Sequence, residues 1–323
     1  MKKIFFDRIR KDKVDERVDA YGWVSKIRNL GGLVFIDLKD RSGLLQLVAD
    51  PKTIPAALEI GLQDCVYASG TVRERPENQR NPKLATGEIE LAVDDLKILG
   101  KSKVTPFVIE NEVKANEELR LRFRYLDLRR EPLQQNIVFR HRVVTAIREF
   151  LNGREFLEIE TPLLTRSMPE GARDYLVPSR LYAGKFYALA QSPQMYKQLL
   201  MVSGFERYYQ IARCLRDEDP RHDRQPEHTQ IDIELSFVNE EDIYELTEGL
   251  FKHIFRQALD RDLPTPFPRL AWSEAFEKYG SDKPDLRFGL EIIDLKPVFA
   301  AKDFPPFKDQ TEIRGIIVPA ATK

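Results

Sequence analysis

The densest concentration of groups able to do chemistry lies in two short runs. They are Arg213-Cys214-Leu215-Arg216-Asp217-Glu218-Asp219 and Arg224-Gln225-Pro226-Glu227-His228-Thr229-Gln230. An arginine at a strand end can neutralise a phosphate through its planar fork of donors. Carboxylates beside it can hold Mg2+ through oxygen ligands or receive an amine. The chain contains no GxxxxGK followed by Ser or Thr, and no GxGxxG, so a nucleotide bound here is held by side chains rather than by a glycine-rich loop. The same residues also read as a solvated loop. Their place between two apolar strands, expected over 208–212 and 231–237, favours a hairpin that floors a pocket.

Elements able to position that hairpin flank it on both sides. Phe139, Val143, Ile147 and Phe150, with Val144 and Leu151 beside them, form a helical stripe, and Gly153 falls where a C-cap would be. A strand-like run over 156–159 is ended by Pro162. A helix is expected over 193–201, and another over 240–259 from the spacing of Ile243, Leu246, Leu250 and Ile254. Hairpin strands mixed with helices give an α+β fold rather than a doubly wound one.

The first hundred residues read instead as short strands over 17–24, 33–38, 44–49, 66–72 and 89–98. Gly31-Gly32 and Ser42-Gly43 punctuate them, a short helix is expected over 55–62, and a polar excursion over 74–87. Five strands with one helix between the third and fourth is the element order of an oligonucleotide-binding (OB-type) barrel. Another small β-barrel with no nucleic-acid role fits the same order. Phe35 lies in an apolar strand, which suits core packing; on an exposed barrel face it would stack an unpaired base.

Bulk properties narrow the classes. The 323 residues suffice for about two domains. Charged residues make up 32% of the chain, yet the net charge is −1, which argues against a generic nucleic-acid coat protein. The two cysteines, Cys65 and Cys214, are too far apart for a CxxC zinc site or a disulfide framework, as in a reducing cytosol. No signal-peptide core or membrane-length apolar run is visible, so a cytoplasmic location without a membrane is expected.

Several strings carry a specific resemblance. The hairpin from Phe205 to Glu218 resembles motif 2 of class II aminoacyl-tRNA synthetases, and Phe156-Leu157-Glu158-Ile159-Glu160-Thr161-Pro162 resembles motif 1. Arg124-Tyr125-Leu126-Asp127-Leu128-Arg129-Arg130, Glu170-Gly171-Ala172-Arg173-Asp174-Tyr175-Leu176-Val177-Pro178 and Gln191-Ser192-Pro193-Gln194-Met195-Tyr196-Lys197 are similar to bacterial aspartyl-tRNA synthetases. So is Tyr279-Gly280-Ser281-Asp282-Lys283-Pro284-Asp285-Leu286-Arg287. The resemblance runs through nearly the whole chain.

It implies an aspartate–tRNA ligase that makes aspartyl-adenylate from ATP and L-aspartate, with Mg2+, and passes the aspartyl group to tRNA(Asp). Implied catalytic residues are Arg216 and Glu218, and these two also belong to the ATP site with Gln225, His228 and Gln230. The aspartate pocket falls on Glu170, Ser192, Gln194, Lys197 and Asp232. Anticodon reading falls on Arg28, Phe35, Gln46, Arg75, Asn81 and Glu90, with Arg73 nearby. His228 stands where many relatives have Phe. Leu30 resembles relatives that charge aspartate tRNA only. The helix over 135–151 implies a homodimer.

The implied organisation is an OB-type anticodon domain over 1–104, a hinge over 105–130, a class II antiparallel-sheet catalytic domain over 131–290 and the start of the bacterial insertion domain over 291–323. Motif 3, with a second ATP arginine, and the segment with the arginine for the substrate side chain are not in the sequence. The catalytic domain is therefore expected to be incomplete and its isolated activity weak. A non-catalytic tRNA anticodon-binding fragment, or a truncated paralogue, is the alternative expectation.

Overall fold

Five antiparallel and parallel strand pairings close the N-terminal barrel: β1 (Arg17–Leu30), β2 (Leu33–Lys39), β3 (Leu44–Ala49), β4 (Cys65–Glu74) and β5 (Ile89–Gly100), in the order β1-β2-β3-β5-β4. The computed structural model describes residues 4–168, 170–219, 224–299, 305–307 and 310–318. These fall into two units, Met1–Arg142 and Val143–Lys323.

β2 shows how alternation sets the barrel. Val34, Ile36 and Leu38 are buried in its core, while Leu33, Phe35 and Asp37 lie half-buried on the outer face. β1 runs well past the expected end at residue 24, because its first half pairs with β4 and its second half with β2, across a bulge between Val24 and Lys26. The bulge breaks the alternation, so the sequence pattern stops where the strand does not. Gly31 and Gly32, at φ +60° and +83°, turn β1 into β2. Gly70 lets β4 approach β5: a Cβ there would lie 2.0 Å from the Ala92 carbonyl oxygen. The expected short helix is a single 3-10 turn, Pro55–Leu58.

After the barrel come α1 (Glu117–Arg122) and α2 (Arg124–Asp127). Asp127 is fully buried and accepts from Arg124 at 2.7 Å and Arg130 at 2.8 Å. Burial alone would raise its pKa, but the Arg130 hydrogen bond and the surrounding guanidiniums hold it below the usual carboxylate range.

The division between the units falls within α3 (Glu131–Asn152). In the second unit, Ile147, Phe150 and Leu151 of this helix pack with Phe156, Tyr209 and Leu250, each such burial being worth about 1.5–3 kcal/mol. The N-terminal turns differ: Ile137, Val138 and Phe139 are exposed. Gly153 follows the helix as expected, but the left-handed residue is Glu155, at φ +63°. Next come β6 (Leu157–Glu158), β7 (Leu164–Thr165), β8 (Leu176–Pro178), β9 (Phe186–Leu189), α4 (Gln194–Val202), β10 (Arg207–Leu215), β11 (Glu227–Leu235) and α5 (Glu240–Leu259). One sheet has the order β11-β10-β6, with β6 parallel to β10, and a second has the order β7-β9-β8. Asn239 and Asp242 cap α5 reciprocally. Of the stretch over 314–319, Pro319 lies outside the described residues.

Candidate active site and nucleic-acid interface

The β10–β11 hairpin has two chemically distinct faces. Tyr209, Ile211, Ile233 and Leu235 join the core with α3 and α5. On the opposite face, the register sets Gln210 against Asp232, Ala212 against Gln230 and Cys214 against His228. Much of the polar run expected as a loop is therefore strand, and His228 and Gln230 are strand residues. Cys214 is fully buried, and burial pushes its thiol pKa up.

Lys197, on α4, places its ammonium 3.0 Å from Asp232 Oδ1 and 3.1 Å from Glu234 Oε2. Burial alone would lower its pKa; the two carboxylates outweigh it and hold the ammonium above the ordinary lysine value. Gln230 Nε2 also donates to Asp232 Oδ1, at 3.0 Å, whereas Asp232 Oδ2 is buried without a hydrogen bond. Tyr208, fully buried beside it, has its phenol pKa raised by burial and by the charge of Asp232, and donates to Gln210 Oε1 at 2.8 Å. A buried carboxylate oxygen with unused acceptor capacity can receive an ammonium.

Ser192 Oγ donates to Glu170 Oε2 at 2.6 Å and accepts from the Gln194 backbone N–H at 3.3 Å. Gln191 holds the segment carrying Glu170: its Nε2 donates to the Ala172 carbonyl at 2.9 Å and to Asp174, and its Oε1 accepts from the Ala172 N–H. At the open end of the hairpin, the Arg216 N–H donates to the Pro226 carbonyl at 2.8 Å, and Nε lies 3.4 Å from the Gln191 carbonyl oxygen. Glu218 and Gln225 are exposed there. Gly171, Ala172, Arg173, Asp217, Glu218, Asp219 and Arg224 line a recess of about 280 Å³ at this end. A larger cleft, about 500 Å³, runs along the β10 edge past Thr161, Pro193 and Gln210 and contains none of the expected site residues.

On the barrel's outer face, Phe35 lies opposite Arg28 and Val48, and Asp37 lies opposite Gln46. Arg28 donates to Asp37 at 2.6 Å and to Gln46 Oε1 at 3.2 Å; Gln46 Nε2 donates to Glu90 at 2.7 Å; Arg73 Nε donates to Glu90 at 2.8 Å. Gln46 and Glu90 are themselves buried at the base of this network. Arg75 is buried too, with Nε donating to the Ile89 carbonyl at 2.7 Å, and burial lowers its pKa against the pull of Glu90 and Asp37. Asn81 is half-buried in the loop after β4, its N–H bonded to the Gly87 carbonyl at 3.0 Å.

The structure thus groups Glu170 with Ser192 and Gln194, Lys197 with Gln230 and Asp232, and Arg28 with Gln46 and Glu90. Sequence reading passed over Glu234, Gln191 and Asp37. The alternation Gln230, Asp232, Glu234 against Ile231, Ile233, Leu235 was the available signal for Glu234.

A closed five-stranded barrel of OB type is followed by an α+β domain built on an antiparallel hairpin with one apolar and one polar face. The family model described as OB-fold nucleic acid binding domain matches residues 18–99, and the one described as tRNA synthetases class II (D, K and N) matches residues 116–317. The chain belongs to the class II tRNA synthetases of this group. It is 51% identical over 98% of its length to an aspartate–tRNA(Asp/Asn) ligase from Trichodesmium erythraeum, and covers 55% of that protein. It is 53% identical over 94% of its length to the ligase of the same name from Moorella thermoacetica, covering 51% of it. The chain thus spans about half the length of the curated relatives it matches. An asparaginyl-tRNA synthetase from Pyrococcus horikoshii, solved with asparaginyl-adenylate, shares the fold at a TM-score of 0.75 and 21% identity, over 91% of this chain and 70% of that one.

Proposed function

We propose that this chain carries the anticodon-reading barrel and the amino-acid-activating hairpin of an aspartate–tRNA ligase. The observation that carries the reading is the ion pair between Lys197, on α4, and buried Asp232, on the face of the hairpin that ends in Arg216. In the proposed reaction a carboxylate oxygen of aspartate attacks the α-phosphorus of ATP, and pyrophosphate leaves. A terminal ribose hydroxyl of tRNA(Asp) then attacks the acyl carbon, and AMP leaves.

No side chain becomes covalent; orientation and charge do the work. Arg216 stabilises the charge developing on the α-phosphate, Lys197 meets the side-chain carboxylate of aspartate, and Asp232 Oδ2 and Glu170 receive its ammonium. Ser192 and Gln194 fix the loop end of that pocket. Gln225, His228 and Gln230 flank the nucleotide, with the imidazole stacking on adenine. Mg2+, when bound, neutralises phosphate charge. Glu218, exposed at the open end of the hairpin, is the carboxylate that would hold it.

For the barrel we propose that Phe35 stacks an unpaired anticodon base and that Arg28, Gln46, Glu90 and Asn81 contact base edges or backbone, with Arg75 placing its charge beneath them. The exposed Ile137, Val138 and Phe139 of α3 are proposed as part of a homodimer interface, to be checked by sedimentation. No helix among the described residues is long and apolar enough to cross a membrane.

Aspartate-dependent exchange of pyrophosphate into ATP tests the catalytic reading. Exchange abolished by Arg216→Ala supports it. Tight, anticodon-dependent binding of tRNA(Asp) without exchange favours a non-catalytic tRNA-binding role. The relatives' names include tRNA(Asn), which the Leu30 resemblance does not, so charging should be measured with both tRNAs.

A further inference from the structure

The network on the barrel face has an order that fixes its own orientation. A guanidinium only donates and a carboxylate only accepts, so Arg28 and Glu90 demand the same setting of the Gln46 amide between them: Oε1 toward Arg28, Nε2 toward Glu90. The same Arg28 nitrogen that reaches Gln46 is held by Asp37, at 2.6 Å. Among the described residues Asp37 and Gln46 are the side chains that Arg28 bonds, and its buried Nε has no hydrogen-bond partner. Asp37 also acts electrostatically on Arg75, along with Glu90 and Arg28, so it is one of two carboxylates set among the guanidiniums of Arg28, Arg73 and Arg75.

Both Glu90 oxygens and Asp37 Oδ1 are engaged within the network. Beside Phe35 the second amide hydrogen of Gln46 and the terminal guanidinium hydrogens of Arg28 that face neither Asp37 nor Gln46 are left as donors, with Asp37 Oδ2 as an acceptor at their edge. Such a surface suits a base edge rich in carbonyl or ring-nitrogen acceptors, provided Arg28 stays against Gln46.

We propose that Asp37 is a specificity-determining positioning residue: by holding Arg28 against Gln46, it presets the donor pattern offered to an unpaired base stacked on Phe35. This rests on the anticodon reading proposed above. Asp37 need not touch the RNA.

The role predicts two effects of opposite sign. Asp37→Asn keeps the shape of the side chain but removes a negative charge beside three guanidiniums. Discrimination between bases should fall, whereas affinity for RNA of unrelated sequence should hold or rise.

The test uses the full chain and the anticodon stem-loop of tRNA(Asp), with each loop base replaced in turn by the other three, and an unstructured RNA of unrelated sequence. Binding is read by fluorescence anisotropy at one fixed salt concentration. For Asp37→Asn, base discrimination is expected to drop about tenfold at the loop position where Gln46→Ala also loses it. The unrelated RNA should bind as tightly as before or more so, and Asp37→Glu should recover part of the discrimination. Unchanged discrimination in Asp37→Asn, with Gln46→Ala still losing it, overturns the role of Asp37 and leaves the anticodon reading standing. No loss in Gln46→Ala or Phe35→Ala overturns that reading and the proposal with it. An even loss of affinity for every RNA marks a fold defect and also overturns the proposal.

Discussion

Lys197 on α4 and buried Asp232 on β11 form an ion pair, 3.0 Å apart, with 12% and 4% of their side-chain surfaces exposed. Residues 35 positions apart are thereby held on one face of the hairpin, and Glu234 supplies the ammonium's second carboxylate, at 3.1 Å.

Removing the cation should be costly. Lys197→Met leaves two carboxylates facing each other without a counter-charge, and loss of about 3–5 kcal/mol of stability is expected at neutral pH. Because the folded state raises the Lys197 pKa, its contribution is complete below the unfolded lysine value of about 10.4 and fades only as pH rises through the higher folded value. Urea unfolding of both proteins from neutral to alkaline pH measures this. Equal stability near pH 7 would rule out the pair as a stabilising contact.

Asp127 gives the opposite pH signature. Burial raises its pKa, but the Arg130 hydrogen bond and the Arg120 and Arg124 charges prevail and keep it low. Its stabilisation is therefore present above the unfolded value of about 3.9 and is lost as pH falls through the lower folded value. Asp127→Asn should weaken the fold at neutral pH and flatten the stability profile below about pH 4 relative to the unmodified chain. Thermal unfolding in acidic buffers reads both effects; a parallel acid limb in the variant would count against them.

Phe35→Ala should cost RNA binding more than folding. Phe35 lies outside the barrel core, so the unfolding midpoint should shift little. Loss of a stacking platform should weaken stem-loop binding by about 1–3 kcal/mol. Calorimetric titration with the anticodon stem-loop is the check, and undiminished affinity with an intact fold removes Phe35 from the interface.

Gly87→Ala should act on the same interface through the backbone. A Cβ at Gly87 would sit 1.7 Å from the Asn81 carbonyl oxygen, so the loop after β4 must open to admit it. About 1–3 kcal/mol of local destabilisation is expected. Weaker stem-loop binding should accompany it, because Asn81 moves with that backbone. Amide exchange across residues 81–87 should rise, and an unchanged exchange rate would contradict the expected displacement.

Taken by itself, the sequence determined the α+β class, the five barrel strands, the helix over 240–259 and family membership. Each rests on local periodicity or on a contiguous string, and both survive without knowledge of distant partners. It did not determine where β1 ends, because a bulge and a change of pairing partner leave no simple alternation. It also did not show which residues of the α3 stripe reach the core: Ile147, Phe150 and Leu151 lie in it, whereas Ile137, Val138 and Phe139 remain exposed. Only the tertiary structure set Lys197 between Asp232 and Glu234, and Arg28 between Asp37 and Gln46. Those arrangements depend on strand register and on the docking of α4, which bring together residues far apart in the chain, and no local pattern encodes a distance across a sheet.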